Sequence, residues 1–268
     1  MTKKDIPNCF LPVTQLSEKL EKGGLSSLEL IEEYLERIRK HDRNLEAFID
    51  VYEEDSRKAA SASDMARSSG HIIGPLQGIP VAVKDIIDIE GKITTGGSMV
   101  WKDRHSTMTA TLVRRMVEAG MVVLGKTHTV EFAMGSFGTN QHMGSPKNPW
   151  DLEEHRATGG SSAGTAAAVA AGLSPWGIGT DTGGSVRIPS AWCGLTGLKI
   201  SVGRISTHGV LPLSHTLDTP GPMCRSLEDA AILYRILAGP DEQDSRTVIH
   251  PVEDLSLIHI SEPTRLLS

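Results

Sequence analysis

Cysteine is scarce in this 268-residue sequence: Cys9, Cys193 and Cys224 are the only three, and they lie far apart. They form no Cys-x-x-Cys pair, which excludes a disulfide framework and a zinc ribbon and fits a reducing, cytoplasmic compartment. Nowhere do about 18 apolar residues run uninterrupted, so no segment reads as membrane-spanning; the Ala-rich stretch 163–173 is too short. The opening Met-Thr-Lys-Lys-Asp-Ile-Pro-Asn lacks the apolar core of a secretory signal. A basic stripe is missing too. Lysine and arginine number 27 against 33 acidic residues, a net charge of −6. The densest basic cluster, Arg37, Arg39, Lys40 and Arg43, is interleaved with glutamates at helical spacing. It reads as a solvated helix face, and a nucleic-acid surface is excluded as the main feature. The ten histidines contain no His-x-His or His-x-x-x-His pair, so no metal site is expected.

What is present is an ordinary globular composition, 39% hydrophobic, in a chain long enough for a substantial core. Residues 1–70 read as a helical segment packed on that core. Ser26 and Glu29 form a capping box, and Leu28, Ile31, Leu35 and Ile38 follow at helical spacing. A short strand fits 47–51 and an alanine-rich helix 53–68, closed by Gly70. From 79 onward short β-branched runs alternate with helical ones. Strands are expected at 79–83, 121–124, 176–180 and 195–200, and helices at 109–119, 163–172 and after the cap Ser226. This alternation predicts an α/β fold with helices on both faces of the sheet.

The chemistry concentrates in two glycine-rich turns and one lysine. Ser161 lies in Gly-Gly-Ser-Ser-Ala-Gly (159–164), Ser185 in Thr-Asp-Thr-Gly-Gly-Ser-Val-Arg-Ile-Pro-Ser (180–190), and Lys84 ends the apolar run 79–84. Each has a plainer reading alone: a helix cap for Ser161, a tight turn around Ser185, a snorkelling lysine. Together they can supply a nucleophile, a proton shuttle, a base and backbone N–H donors that only glycine-rich turns aim at one point. A lysine held in a dry cavity loses its proton readily and becomes a base. Asp181 stands where it could organise the second turn. The Gly-x-Gly-x-x-x-Gly spacing of 177–183 fits no dinucleotide or P-loop pattern.

These segments resemble the amidase signature family. The resemblance spans roughly 76–237 and rests on Gly-Ile-Pro-Val-Ala-Val-Lys-Asp (78–85), Thr-Gly-Gly-Ser-Ser-Ala-Gly (158–164), Gly-Thr-Asp-Thr-Gly-Gly-Ser-Val-Arg-Ile-Pro-Ser-Ala-Trp-Cys-Gly (179–194), Gly-Leu-Lys (197–199) and Leu-Asp-Thr-Pro-Gly-Pro (217–222). It implies a mixed, largely buried central sheet covered by helices on both faces, here incomplete. It also implies hydrolysis of a carboxamide to carboxylate and ammonia or amine through an acyl-serine. Carried over by motif, Ser185 is the nucleophile, Ser161 the bridging serine after a cis peptide bond, and Lys84 the base. The oxyanion donors are the backbone N–H groups of Thr182, Gly183, Gly184 and Ser185, and Met134 is a cleft residue. No cofactor or metal is implied. The expected partner is a small-molecule amide, with no membrane and a homodimer allowed for. Nucleic acid enters only under the alternative of a glutamine-amidase subunit in a tRNA-dependent amidotransferase, which the segment 207–218 fits less well than a general amidase.

Family members are considerably longer. The resemblance therefore implies that 71–254 is the N-terminal part of the domain, that the remainder walls the cleft, and that this chain alone is a poorly soluble, weakly active or inactive fragment. Residues 255–265 read like a translated sequencing-library adapter, so 255–268 is expected to be a non-native tail.

Overall fold

The computed structural model describes residues 6–252 and 255. The expected tail at 255–268 thus lies outside the described residues, apart from Leu255. Helix α1 (Val13–Glu21) begins after Pro12, which offers no side-chain acceptor. The carboxylate of Asp229 caps it instead, accepting from the N–H groups of Val13 at 2.9 Å and Thr14 at 3.1 Å. Helix α2 (Ser27–Leu45) opens on the Ser26–Glu29 capping box and buries Leu30, Ile31, Tyr34, Leu35 and Ile38. Strand β1 (Phe48–Val51) and helix α3 (Glu53–Ser68) complete the helical segment. Its apolar residues share one continuous core with Val81, Leu124 and Ile178 of the sheet.

The sheet has six strands in the order β1-β3-β2-β4-β6-β5. Strand β2 (Pro80–Lys84) pairs in parallel with β3 (Val122–Thr127) and β4 (Gly177–Asp181). The outer pairings, β1 to β3, β4 to β6 and β6 to β5, are antiparallel, so the sheet is mixed. Helices α4 (Thr111–Glu118), α5 (Ala163–Ala170), α6 (Arg187–Cys193) and α7 (Leu227–Leu237) cover it. No helix among the described residues is long and apolar enough to cross a membrane.

Two strands differ from the sequence reading. Strand β6 (Thr219–Cys224) lies between β4 and β5 although Pro220 and Pro222 stand inside it. Strand β5 is only Thr196–Gly197 rather than 195–200. The two differences have one cause. Leu198 donates to the Pro222 carbonyl at 3.0 Å, but proline has no N–H to return the bond, and the ladder stops there.

Close packing sets where α5 begins. A Cβ on Gly164 would lie 2.3 Å from the Ala47 carbonyl oxygen and 2.4 Å from the His128 nitrogen. One on Gly177 would lie 2.5 Å from Thr165 Cγ2, and one on Gly179 2.6 Å from Ser162 Oγ. Bare backbone at these three positions lets the start of α5 descend onto β3 and β4. That brings residues 161 and 162, just before α5, to the C-terminal ends of the parallel strands.

Candidate active site

Lys84 is the last residue of β2 and is fully buried. Its ammonium nitrogen lies 2.7 Å from Ser161 Oγ and 2.9 Å from Thr180 Oγ1, both also buried. Burial drives its pKa down to about 7, while the negative charges of Asp181 and Asp218 oppose a larger fall. Lys126 of β3 is a second buried lysine, with a different environment. It pairs with Asp85 at 3.3 Å and donates to Thr94 Oγ1 at 2.7 Å. Lys84 touches hydroxyls only and makes no ion pair among the described residues, so it can lose its proton without stranding a carboxylate.

Ser161 follows a cis peptide bond, Gly160–Ser161. Its carbonyl accepts from the Val130 N–H at 3.2 Å and from Thr129 Oγ1 at 3.1 Å, which fixes the turn against the segment after β3. The second glycine-rich turn leaves β4. The Ser162 N–H donates to the Ser185 carbonyl at 3.3 Å, so the two turns lie side by side. Ser185 is half-buried, and its hydroxyl has no hydrogen-bond partner among the described residues. The structure therefore brings Lys84, Ser161 and Thr180 into contact and sets Ser185 beside them through the backbone.

Asp181 shapes that second turn. Its carboxylate accepts from the N–H groups of Gly184 at 2.8 Å, Val186 at 3.1 Å and Arg187 at 3.3 Å, and takes two further bonds from the Arg187 guanidinium. Burial alone would raise its pKa, but the Arg187 fork and these N–H donors hold it below the ordinary carboxylate value. One expectation changes here. The Gly184 N–H is committed to Asp181, so the turn's N–H groups without a partner among the described residues are those of Thr182, Gly183 and Ser185.

Met134 is 72% exposed and lines a cavity of about 390 Å³ with Val130, Phe132, Asn140 and His142. Its neighbour Ala133 is the residue that faces the narrow cavity against Thr180, Thr182 and Asp218. Ala133 and Phe132 have φ of 60° and 48°, the left-handed region that side chains other than glycine rarely occupy. A larger cavity, about 770 Å³, lies elsewhere, between Ile89, Met108, Val117 and Gln243, and touches none of Lys84, Ser161 or Ser185. The candidate site is marked by a buried amine of lowered pKa among hydroxyls and not by volume. Sequence reading missed Thr180 and Asp218. Both lay inside quoted motifs, but nothing local shows that one touches Lys84 and the other the head of the second turn.

Comparison with known proteins follows the same lines. The amidase family model matches residues 29–264. The chain is 44% identical to a glutamyl-tRNA(Gln) amidotransferase subunit of Acinetobacter baumannii, over 91% of this chain and 49% of that protein. It is 46% identical to the corresponding subunit of Chromohalobacter salexigens, over 91% and 50%. Among solved structures, the peptide amidase of Stenotrophomonas maltophilia superposes with a TM-score of 0.87 at 38% identity, over 92% of this chain and 52% of that one. The corresponding glutamyl-tRNA(Gln) amidotransferase subunit of Thermotoga maritima superposes with a TM-score of 0.77, also at 38% identity, over 92% and 51%. The chain thus spans about half the length of the curated relatives it matches. The family match, the sequence identities and the likeness in fold agree, and the chain belongs to the amidase family.

Proposed function

We propose that the whole protein hydrolyses a carboxamide to carboxylate and ammonia or amine, with Ser185 as nucleophile, Ser161 as proton shuttle and Lys84 as base. The observation that carries this reading is the 2.7 Å contact between Lys84 Nζ and Ser161 Oγ in a site dry enough to hold the amine near neutrality. Neutral Lys84 takes a proton from Ser161, which takes one from Ser185 as the Ser185 hydroxyl turns toward it. Catalytic hydrogen bonds commonly tighten in this way only once substrate is bound. Ser185 Oγ bonds to the amide carbon, and the N–H groups of Thr182, Gly183 and Ser185 receive the developing oxyanion. The C–N bond then breaks as Ser161 returns its proton to the departing nitrogen. Water attacks the acyl-serine and releases the carboxylate and Ser185.

The three cysteines are free and buried, which suits a cytoplasmic setting. A quenched reaction of the full-length protein with an aryl amide tests the reading. Mass spectrometry should find the acyl group on Ser185 and no adduct in Ser185→Ala; an acyl group on any other residue rejects it.

A second reading has its own support. The curated relatives at 44% and 46% identity belong to glutamyl-tRNA(Gln) amidotransferases. Under it, the amide is glutamine and the ammonia passes to a partner protein. Copurification of that partner, with glutamine as the only efficient amide, would favour this reading over a free amidase.

A further inference from the structure

We propose that Asp218 is a positioning residue for amide cleavage: its carboxylate clamps Thr182, at the head of the oxyanion turn, to the loop 213–218 and so fixes the direction of the turn's N–H donors. This rests on the reading of the reaction given above. Asp218 is 7% exposed, and its carboxylate joins its own loop to Thr182, 36 residues away in the chain. Oδ1 accepts from Thr182 Oγ1, and Oδ2 accepts from the N–H groups of Leu213 at 2.8 Å and Ser214 at 2.9 Å. The Asp218 N–H closes the loop by donating to the Ser214 carbonyl at 3.0 Å. The next residue, Thr219, donates from Oγ1 to the Asp181 carbonyl at 2.9 Å. Residues 218 and 219 therefore grip residues 182 and 181 side by side, where β4 ends and β6 begins.

Two carboxylates divide the work on this turn. Asp181 holds its far end through the N–H groups of Gly184, Val186 and Arg187. Asp218 holds its near end through the Thr182 side chain, which leaves the Thr182 N–H available. With both ends tied, the N–H groups between them need not reorganise as charge develops, the condition under which oxyanion donors are most effective.

A purely structural clamp would make the same bonds; recovery of the rate when only the hydroxyl at 182 is restored separates the two, and the Asp218 charge has its own effect on Lys84. Lys84 senses the charges of Asp181, on β4, and Asp218, on the loop before β6. The nearby Asp85 is paired with Lys126 of β3, and Asp244, Arg246, His208 and His215 line a cavity with Asp218 on its outer side. Removing the Asp218 charge makes protonation of Lys84 less favourable, whereas cutting the clamp at Thr182 leaves that charge in place.

The test is the pH dependence of fluorophosphonate labelling on the full-length protein. In that reaction the Ser185 O–P bond forms, the P–F bond breaks, fluoride leaves and the serine proton passes through Ser161 to Lys84. Wild-type protein should label at Ser185. Thr182→Val should label about 10- to 100-fold more slowly at an unchanged pH midpoint, as expected for misplaced donors, and Thr182→Ser should recover the rate. Asp218→Asn should be slowed as much, with its midpoint displaced to lower pH. Wild-type rates in Thr182→Val, or no recovery in Thr182→Ser, overturn the proposal even if Asp218→Asn folds poorly. Wild-type labelling rates in a folded Asp218→Asn also overturn it, because the carboxylate would then not govern the donors. Wild-type protein that fails to label at Ser185 removes the underlying reading instead, and the clamp with it.

Discussion

Lys84 Nζ lies 2.7 Å from Ser161 Oγ, although 77 residues separate them in the chain, and it meets no carboxylate there. The neighbouring buried lysine, Lys126, is tied to Asp85 at 3.3 Å. That contrast puts two lysines of equal burial in opposite surroundings, and it can be tested from both sides.

Replacing either lysine by methionine should move stability in opposite directions. Burial lowers the Lys84 pKa from 10.5 to about 7, while the unfolded chain keeps the ordinary value. Between those values unfolding takes up a proton, so this group's destabilisation grows as pH falls from 10.5 and levels off below about 7. Lys84→Met removes it and should stabilise the fold by about 1–3 kcal/mol at pH 6, after the lost hydrogen bonds to Ser161 and Thr180 are counted. Lys126→Met strands the buried Asp85 carboxylate and should cost about 3–5 kcal/mol. Denaturant unfolding at pH 6 and pH 9 measures both.

The same Lys84→Met protein should lose amide turnover by about 10²- to 10⁴-fold, the usual contribution of a positioned base. On the proposed mechanism the reactive form of Lys84 is the neutral amine. Turnover should therefore rise with pH through a midpoint near 7. Steady-state kinetics on an aryl amide from pH 5 to 9 checks the direction; a rate that falls over this range contradicts it.

Asp181→Ala should lower kcat by about 10²-fold or more with a smaller change in KM, because it frees three backbone N–H groups and loosens the turn proposed to hold the oxyanion. Arg187→Ala should do less. The guanidinium is half-exposed, with 52% of its side chain accessible, and Asp181 keeps its backbone donors without it.

Gly164→Ala should destabilise the fold by about 1–3 kcal/mol or more, since the added methyl meets two backbone atoms at 2.3 and 2.4 Å. Gly183→Ala is the control, with nothing within 4 Å of its Cβ. Thermal unfolding of the two variants should separate them by several degrees.

Features governed by local chemistry were legible in the sequence. The Ser26–Glu29 box opens α2, Ser226 caps α7 and residues 53–68 form α3, because caps and 3.6-residue periodicity are written within a few neighbours. What depends on contacts between distant segments was not. Pro220 and Pro222 argue against a strand, and β6 forms because β4 and β5 flank it. The spacing of Gly177 and Gly179 fits no nucleotide loop and gives no reason for them; they are bare so that Thr165 and Ser162 can approach. Lys84 showed only an apolar run ending in a lysine; that it is dry and faces Thr180 follows from the packing of α5 on the sheet. The motif offers the Gly184 N–H as an oxyanion donor, but the folded chain gives it to the Asp181 carboxylate.

The most direct measurement is the titration of the Lys84 amine itself. Full-length protein labelled with ¹³C at the lysine ε-carbon can be followed by NMR from pH 5 to 11, with the Lys84 signal assigned by its loss in Lys84→Arg. A midpoint near 7 is expected for a buried base facing Ser161 and Thr180. A midpoint near the ordinary 10.5 would mean that the amine is charged throughout the working range, and Lys84 could not then accept the Ser161 proton.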